Sequence, residues 1–269
     1  MRLVRGELPG EIYEFENKSL RDTARLLSEI RSAQGVLDAA VSIQEIYGEL
    51  LADGTFAELI GRLSRRRDLK ELKAVEDPNL IGRVVRSLER AHGRYGSWPT
   101  DPEAREVYGL GIRDSFAAVS PGLSATFGQG RQSMVRAYRR AGAGDFHEWR
   151  KRVKDMRHQM EFLAPLWPEV VVGTAMTLER LGNILGEDHD MAEMLELLGE
   201  RRDLCPSPRE RSLFRALANQ RRGELQVAAE ILGRRVYAEQ PDALTARFGE
   251  YWDARQMALG ETLDTIVVY

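Results

Sequence analysis

Apolar residues recur along this chain three and four positions apart, the spacing of one face of an α-helix. No stretch alternates with the period of two that marks a half-buried strand. The pattern predicts a short helical stub over 1–8, then helices near 16–35, 36–52, 55–74 and 79–95, with Asp77 or Asn79 capping the last of these. Ser97-Trp98-Pro99-Thr100-Asp101-Pro102 reads as a loop. Further helices are expected near 103–118, 122–142, 145–164, 169–186, 188–203, 207–238 and 241–258. Ala141-Gly142-Ala143-Gly144-Asp145 is a break, and Asp145 is a good N-cap for the helix after it. The tail Thr265–Tyr269 is apolar. The fold class is therefore all-α.

The chain also carries a weak internal repeat. Leu27-Ser28-Glu29-Ile30-Arg31-Ser32-Ala33, followed by Val36-Leu37, matches Leu185-Gly186-Glu187-Asp188-His189-Asp190-Met191, followed by Met194-Leu195, at an offset of 158 residues. Each copy sits about 18 residues after a proline, Pro9 or Pro168. So long a period suggests two related half-domains and not a solenoid. A chance match between two amphipathic helices is the other reading.

Composition narrows the class. The 269 residues are 43% apolar and 30% charged, enough for a real core and too apolar for a disordered chain. No apolar run approaches the roughly 18 residues of a membrane span, and no signal peptide opens the sequence. The single Cys205 can form no internal disulfide, so a cytoplasmic setting is expected. One cysteine and four histidines (His92, His147, His158, His189) supply metal chemistry poorly, and no cofactor is called for. The net charge of −3 argues against a generally basic nucleic-acid binder, and no specific nucleic-acid partner is expected. That average hides a segregation of cations onto particular helix faces.

The sharpest example runs from Phe146 to Glu161. At 100° per residue, Phe146, Trp149, Val153, Met156, Met160 and Leu163 share one stripe, while His147, Arg150, Lys151, Lys154 and Arg157 share another. A solvated face usually mixes signs to gain i,i+4 pairs. This one meets an acid only at Glu161, and clustered cations repel one another unless an anion joins them. Arg83, Arg86, Arg90 and Arg94 fall within roughly 80° on their own helix, away from Leu80, Ile81, Val84, Leu88, Ala91 and Tyr95. Arg211, Arg215 and Arg222 align similarly. Arg65-Arg66-Arg67 with Lys70 and Lys73 is a further basic run, but Asp68 and Glu71 interrupt it, so it reads as solvated surface. Cationic stripes of this kind can converge on a basic groove, where the planar fork of arginine suits phosphate. No phosphate-binding loop, dinucleotide fingerprint or nucleophile elbow is present. Glu187-Asp188-His189-Asp190 could ligate a metal, but neighbours on a helix point apart. The favoured reading turns His189 inward and lets the acids cap or flank the next helix.

These residues resemble a known family, the conserved histidine α-helical domain, or CHAD. The segment Phe146-His147-Glu148-Trp149-Arg150-Lys151-Arg152-Val153-Lys154-Asp155-Met156-Arg157-His158 is similar to its histidine–basic helix. Leu185-Gly186-Glu187-Asp188-His189-Asp190 looks like the family's later helix-junction motif. Gly122-Leu123 through Thr126-Phe127 to Gly130-Arg131 looks like the segment preceding the histidine helix, and Tyr251-Trp252 also fits. The resemblance covers essentially the whole chain. It implies a single domain, 1–269, of two pseudo-symmetric helical bundles (halves 1–98 and 99–269) around a basic pore. It also implies binding of inorganic polyphosphate without turnover, in the cytoplasm and at polyphosphate granules.

Three departures qualify that expectation. The family carries a histidine–basic helix in each half, and the repeat offset puts the first histidine upstream of Met1. Met1–Pro9 therefore reads as the end of a truncated first helix, leaving an apolar patch that a homodimer would cover. Gly128 and Gln129 stand where cations are expected before Arg131, and Ser32 stands where an Asp is expected. The expected anion site comprises His147, Arg150, Lys151, Lys154 and Arg157 as one wall, with Arg131, His189, Arg25, Arg31, Arg83, Arg86 and Arg90 contributing others. No residue takes a catalytic role in this reading. Two rivals stand beside it: a metal-assisted phosphate-processing component centred on His147 and His189, and a helical interaction scaffold with a degenerate anion site.

Overall fold

Each amphipathic stretch of this chain becomes a helix because burying its apolar stripe outweighs the cost of ordering it. The structure, a computed structural model, describes residues 1–98 and 111–267, with side chains for all of these but Glu29 and residues 260–267. Among the described residues it holds nine α-helices and no strand: α1 (Gly10–Arg25), α2 (Ser28–Tyr47), α3 (Ala57–Glu76), α4 (Leu80–Gly96), α5 (Phe116–Arg140), α6 (Ala143–Leu163), α7 (Pro168–Glu200), α8 (Pro208–Val236) and α9 (Pro241–Val267). The all-α expectation holds. None of these helices is long and apolar enough to cross a membrane.

The boundaries differ from the sequence pattern in instructive places. The stub over 1–8 is only a 3-10 turn, Arg5–Glu7. The first two helices break at Leu26 and Leu27, ten residues before the point the apolar spacing suggested. Ser28 helps close that break by donating its hydroxyl hydrogen bond, 2.8 Å, to the Arg25 carbonyl. At the start of α4, Asp77 and not Asn79 supplies the side-chain acceptor, taking the Asn79 amide at 3.0 Å and the Arg83 guanidinium at 2.7 Å. Half of the helix expected over 103–118 lies outside the described residues, and of the other half 111–115 is not helical, the helix beginning only at Phe116. From Phe116 the chain is helical straight through Pro121 and needs no break there. Asp145 is not the N-cap of α6. The helix starts two residues earlier, after Gly142, and Asp145 lies in its first turn. The largest correction is α7, one helix of 33 residues where two were expected. Gly186-Glu187-Asp188-His189 sits in its middle, so these acids cap nothing.

The described residues of Met1–Tyr13, Trp98–Asn183 and Ala229–Tyr269 form one compact unit, and those of Glu14–Ser97 and Ile184–Ala228 form another. Helices α1, α7 and α8 contribute residues to both. In the first unit α5 packs against α6 and α9 around Leu123, Phe127, Phe146, Trp149, Val153, Met156 and Phe248, all buried. In the second, α2 packs against α3, and Ile43, Phe56, Leu59, Leu63, Met191, Met194 and Phe214 share the core. Phe56 takes a left-handed conformation (φ 66°) that costs a bulky residue about 1–2 kcal/mol. Complete burial edge-on to Phe214, ring centroids 5.3 Å apart, holds it there.

Two glycines of α5 are required by close approach. At Gly122 a Cβ would lie 2.6 Å from the Arg2 carbonyl oxygen, so only glycine lets the Met1–Leu8 segment lie against the helix. At Gly130 a Cβ would lie 2.7 Å from Cζ of Tyr237, whose buried ring packs 5.2 Å from Phe127 and cannot swing away. Burial also pushes the Tyr237 phenol well above its ordinary pKa. Gly130→Ala is therefore expected to destabilise the protein by about 1–3 kcal/mol, overpacking outweighing the better helix propensity of alanine. A denaturant titration should show the midpoint fall with the slope unchanged, and Tyr237→Phe, which removes the phenol oxygen, should restore part of the loss.

Three buried carboxylates are each met by an arginine. Glu16 of α1 receives two hydrogen bonds from Arg94 of α4, one of them 2.7 Å. Glu7 receives Nε and Nη2 of Arg113 at 3.0 and 2.6 Å. Asp188 of α7 receives Nε of Arg222 and the amide of Gln226, both at 2.9 Å. A buried pair adds little net stability, but losing one partner leaves an uncompensated charge, a loss of about 3–5 kcal/mol. Arg222→Met should show that loss in chemical denaturation, and Asp188→Leu in the same chain should recover most of it.

Candidate functional site

The cationic stripe of α6 forms as its periodicity requires. Phe146, Trp149, Val153, Met156, Met160 and Leu163 are buried, which turns His147, Arg150, Lys151, Lys154 and Arg157 to the outer side of the helix. His147, Arg150 and Arg157 are half-buried, and Lys151 and Lys154 are exposed. The stripe is less bare of acids than its sequence implies. Lys151 pairs with Glu148 at 2.6 Å. Arg157 pairs with Glu161 at 2.8 Å and with Glu179 of α7 at 3.3 Å. His158 also meets Glu161, at 2.9 Å. Hydrogen bonds hold both carboxyls below their usual range, from Lys151 for Glu148 and from His158 and then Arg157 for Glu161. These acids therefore partly neutralise the stripe at neutral pH, and the neutralisation is lost only as pH falls through those lowered values. Arg150 differs. It pairs with no carboxylate among the described residues, and its Nε is buried without an acceptor. A buried donor left unmet costs about 1–3 kcal/mol, so such a group calls for a ligand or another explanation.

The segment before α6 contributes one cation to the same unit. Arg131 of α5 is half-buried and donates to Gln240. Gln129 accepts a 3.2 Å hydrogen bond from Arg152, and Gly128 lies against Pro241. Both thus have packing roles where cations were expected.

The remaining expected residues belong to the other unit. Arg25, at the end of α1, pairs weakly with Asp22 at 3.5 Å. Arg31 of α2 is exposed and has no partner among the described side chains. On α4, Arg83 pairs with Asp77, Arg90 donates to the Arg86 carbonyl at 3.2 Å, and Arg86 folds back over Gly82. Arg94 is committed to Glu16. Of the third stripe, Arg211 donates to the Arg202 and Cys205 carbonyls and Arg222 holds Asp188, which removes both from the pool of free cations. His189 of α7 lies 3.3 Å from Glu193, which also accepts a 3.1 Å hydrogen bond from Ser32 of α2. Ligand atoms of His189, Asp190 and Glu193 lie within 4.8 Å of one another, close enough to share a cation. His147 and His189, paired in the metal-enzyme reading, lie in different units.

The model of the CHAD domain matches residues 1–199, which takes in α1 to α6 and most of α7. The chain belongs to the CHAD-domain family. The resemblance read from the histidine–basic helix is thereby borne out. No curated protein and no solved structure matches the chain.

This CHAD domain has a second basic feature that its sequence led us to dismiss. Arg62, Arg65, Arg66, Lys70 and Lys73 of α3 line a groove of about 550 Å³, with Arg201 and Leu204 on its far wall. Asp68 and Glu71, which seemed to interrupt the run, project from other sides of the helix, as does Arg67, which reaches Asp68 and Gln34. The signal was angular: the lining residues of α3 fall within roughly 140° on the helical wheel. A larger hollow of about 760 Å³, lined by Phe127, Met156, Leu178 and Leu244, has Arg180, Arg235 and Arg247 among its lining residues, with Arg247 held by Glu239 at 2.5 Å.

Proposed function

We propose that this CHAD domain binds inorganic polyphosphate, without turnover, along the cationic face of α6. His147, Arg150, Lys151, Lys154 and Arg157 form that face, and Arg131 supplements it. The observation that carries the reading is Arg150, a half-buried guanidinium with a buried donor unmet by any described residue, in the middle of a helix of cations. Membership of the family supports it. Arg31, Arg86 and Arg90 have no carboxylate partner among the described side chains and are candidate contacts in the other unit. Arg25, Arg83 and His189 each have an acidic neighbour and are weaker candidates. Association with polyphosphate granules in the cytoplasm would follow from such binding.

Electrostatic attraction to a chain of phosphoryl groups makes the affinity fall with salt. Arg150→Gln with Lys154→Glu should weaken binding of long-chain polyphosphate by more than about tenfold, since each lost charge-assisted hydrogen bond is worth roughly 1.5–3 kcal/mol. The measurement is a titration at two salt concentrations, with circular dichroism to show that the variant is folded. Unchanged affinity in a folded variant removes α6 from the site.

The His189–Asp190–Glu193 cluster favours one rival, a metal-assisted phosphate-processing component. Release of orthophosphate that depends on a divalent cation, and that His189→Ala abolishes, would support it. The homodimer is proposed on a separate observation: Ile81, Val85 and Leu88 of α4 are exposed. Sedimentation over a range of concentrations is expected to show a dimer that Val85→Glu dissociates. A chain that stays monomeric throughout would remove the proposal.

A further inference from the structure

The hollow bounded by α7, α8 and α9 is unlike the cationic faces of α3 and α6. All of its lining residues belong to one compact unit. Its deep side is apolar: Phe127, Met156, Leu178 and Leu244 are buried, and none of them carries charge or donates a hydrogen bond. Met156 comes from the inward stripe of α6, and none of the cations of that helix lines the hollow. Thr174 and Thr177 of the α7 wall turn their hydroxyl protons back to their own helix, at the Val170 and Gly173 carbonyls (3.4 and 2.9 Å).

Among the described residues, three arginines and one carboxylate complete the lining. Arg247 is already engaged. It donates to Glu239 and, at 3.3 Å, to the Tyr251 hydroxyl, and its guanidinium lies 5.2 Å from the centre of the Phe248 ring. Glu239, the one acid, is thereby occupied. Arg180 of α7 and Arg235 of α8 are exposed and have no partner among the described side chains. Two open guanidinium groups thus border a space whose depth is apolar.

We infer that this hollow binds a small amphiphilic anion, a single alkyl chain ending in a carboxylate and taken up free from solution. The volume of about 760 Å³ lies within the range of small-molecule pockets, roughly 300–1,000 Å³, which are likewise mostly apolar with a few polar groups that fix orientation. An alkyl chain would displace water from Phe127, Met156, Leu178 and Leu244, and its head would take the paired donors of Arg180 or Arg235. A condensed phosphate suits only the rim, because phosphoryl units pressed against the apolar floor would lose their water and gain no hydrogen bond in return. An acidic helix of a partner protein is about 10–12 Å across, so the hollow takes in fewer than about two turns of it.

Calorimetric titration of the full chain with octanoate, decanoate and dodecanoate, each below its micelle concentration, tests this. Affinity should rise along the series by up to about fourfold per methylene. Arg180→Gln with Arg235→Gln changes two exposed side chains and should weaken dodecanoate binding by at least about tenfold. Gly173→Leu tests the apolar part alone. A Cβ there meets nothing within 4 Å, and leucine is the better helix former, so the variant should be at least as stable while its side chain fills the hollow and lowers affinity by at least about tenfold. The α6 variant, Arg150→Gln with Lys154→Glu, should bind dodecanoate as the parent chain does, and loss of binding there would move the ligand to α6 and overturn the inference. Unchanged affinity in either folded hollow variant overturns it, as does an affinity that ignores chain length. It also fails if 1-octanol binds as tightly as octanoate, which would leave the arginines no part. Binding to phosphatidylglycerol vesicles without binding to free dodecanoate would overturn it in favour of a membrane surface.

Discussion

Helix packing takes the carboxylates of Glu7, Glu16 and Asp188 out of water, and each requires an arginine beside it as partner. That requirement governs what the other arginines can do. Arg94, Arg113 and Arg222 are taken up by the fold itself, although Arg94 and Arg222 sit in stripes that look like ligand surface when only the sequence is read. A second tier of pairing acts at the surface, where Lys151, Arg157, Arg83 and Arg201 have nearby acids that soften their charge without burying it. Among the described residues, the cations left for an outside anion include Arg150 on α6, Arg65, Arg66 and Lys73 on α3, and Arg31, Arg86 and Arg90.

Much of the fold was legible because it is made of one kind of element, and a period near 3.6 is the strongest signal a sequence carries. The failures fall where a local cue was stronger than its tertiary weight. Pro121 and the Gly186–His189 stretch look like breakers, yet α5 and α7 continue through them. In α7 the reason is visible: Asp188 is satisfied sideways by Arg222 and Gln226 and has no need of a helix end. Asp145 looks like a cap, but Gly142 already offers the extended conformation from which α6 can start.

The candidate site divides along the same line. The stripe of α6 follows from spacing alone, because its apolar and cationic residues are offset by a fixed angle. Its partial neutralisation does not follow, since Glu179 lies on another helix and Glu148 was outside the stripe as drawn. The α3 run shows a different effect. Acids adjacent in sequence were counted as neighbours, whereas on a helix Asp68 and Glu71 project elsewhere. Charge on a helix has to be counted by angle before it is counted by number.

The α3 wall also sets what kind of change this segment can absorb over evolutionary time. Its lining residues are held in place by helical phase and not by packing against one another, so a lysine traded for an arginine there leaves the array as it was. A single residue inserted between Arg62 and Lys73 would turn one end of the helix by about 100° against the other. Half of the cations would leave the groove, and Leu59 and Leu63, buried at the N-terminal end, would hold the other half in place. Length is therefore the conserved quantity to look for in this stretch, ahead of residue identity.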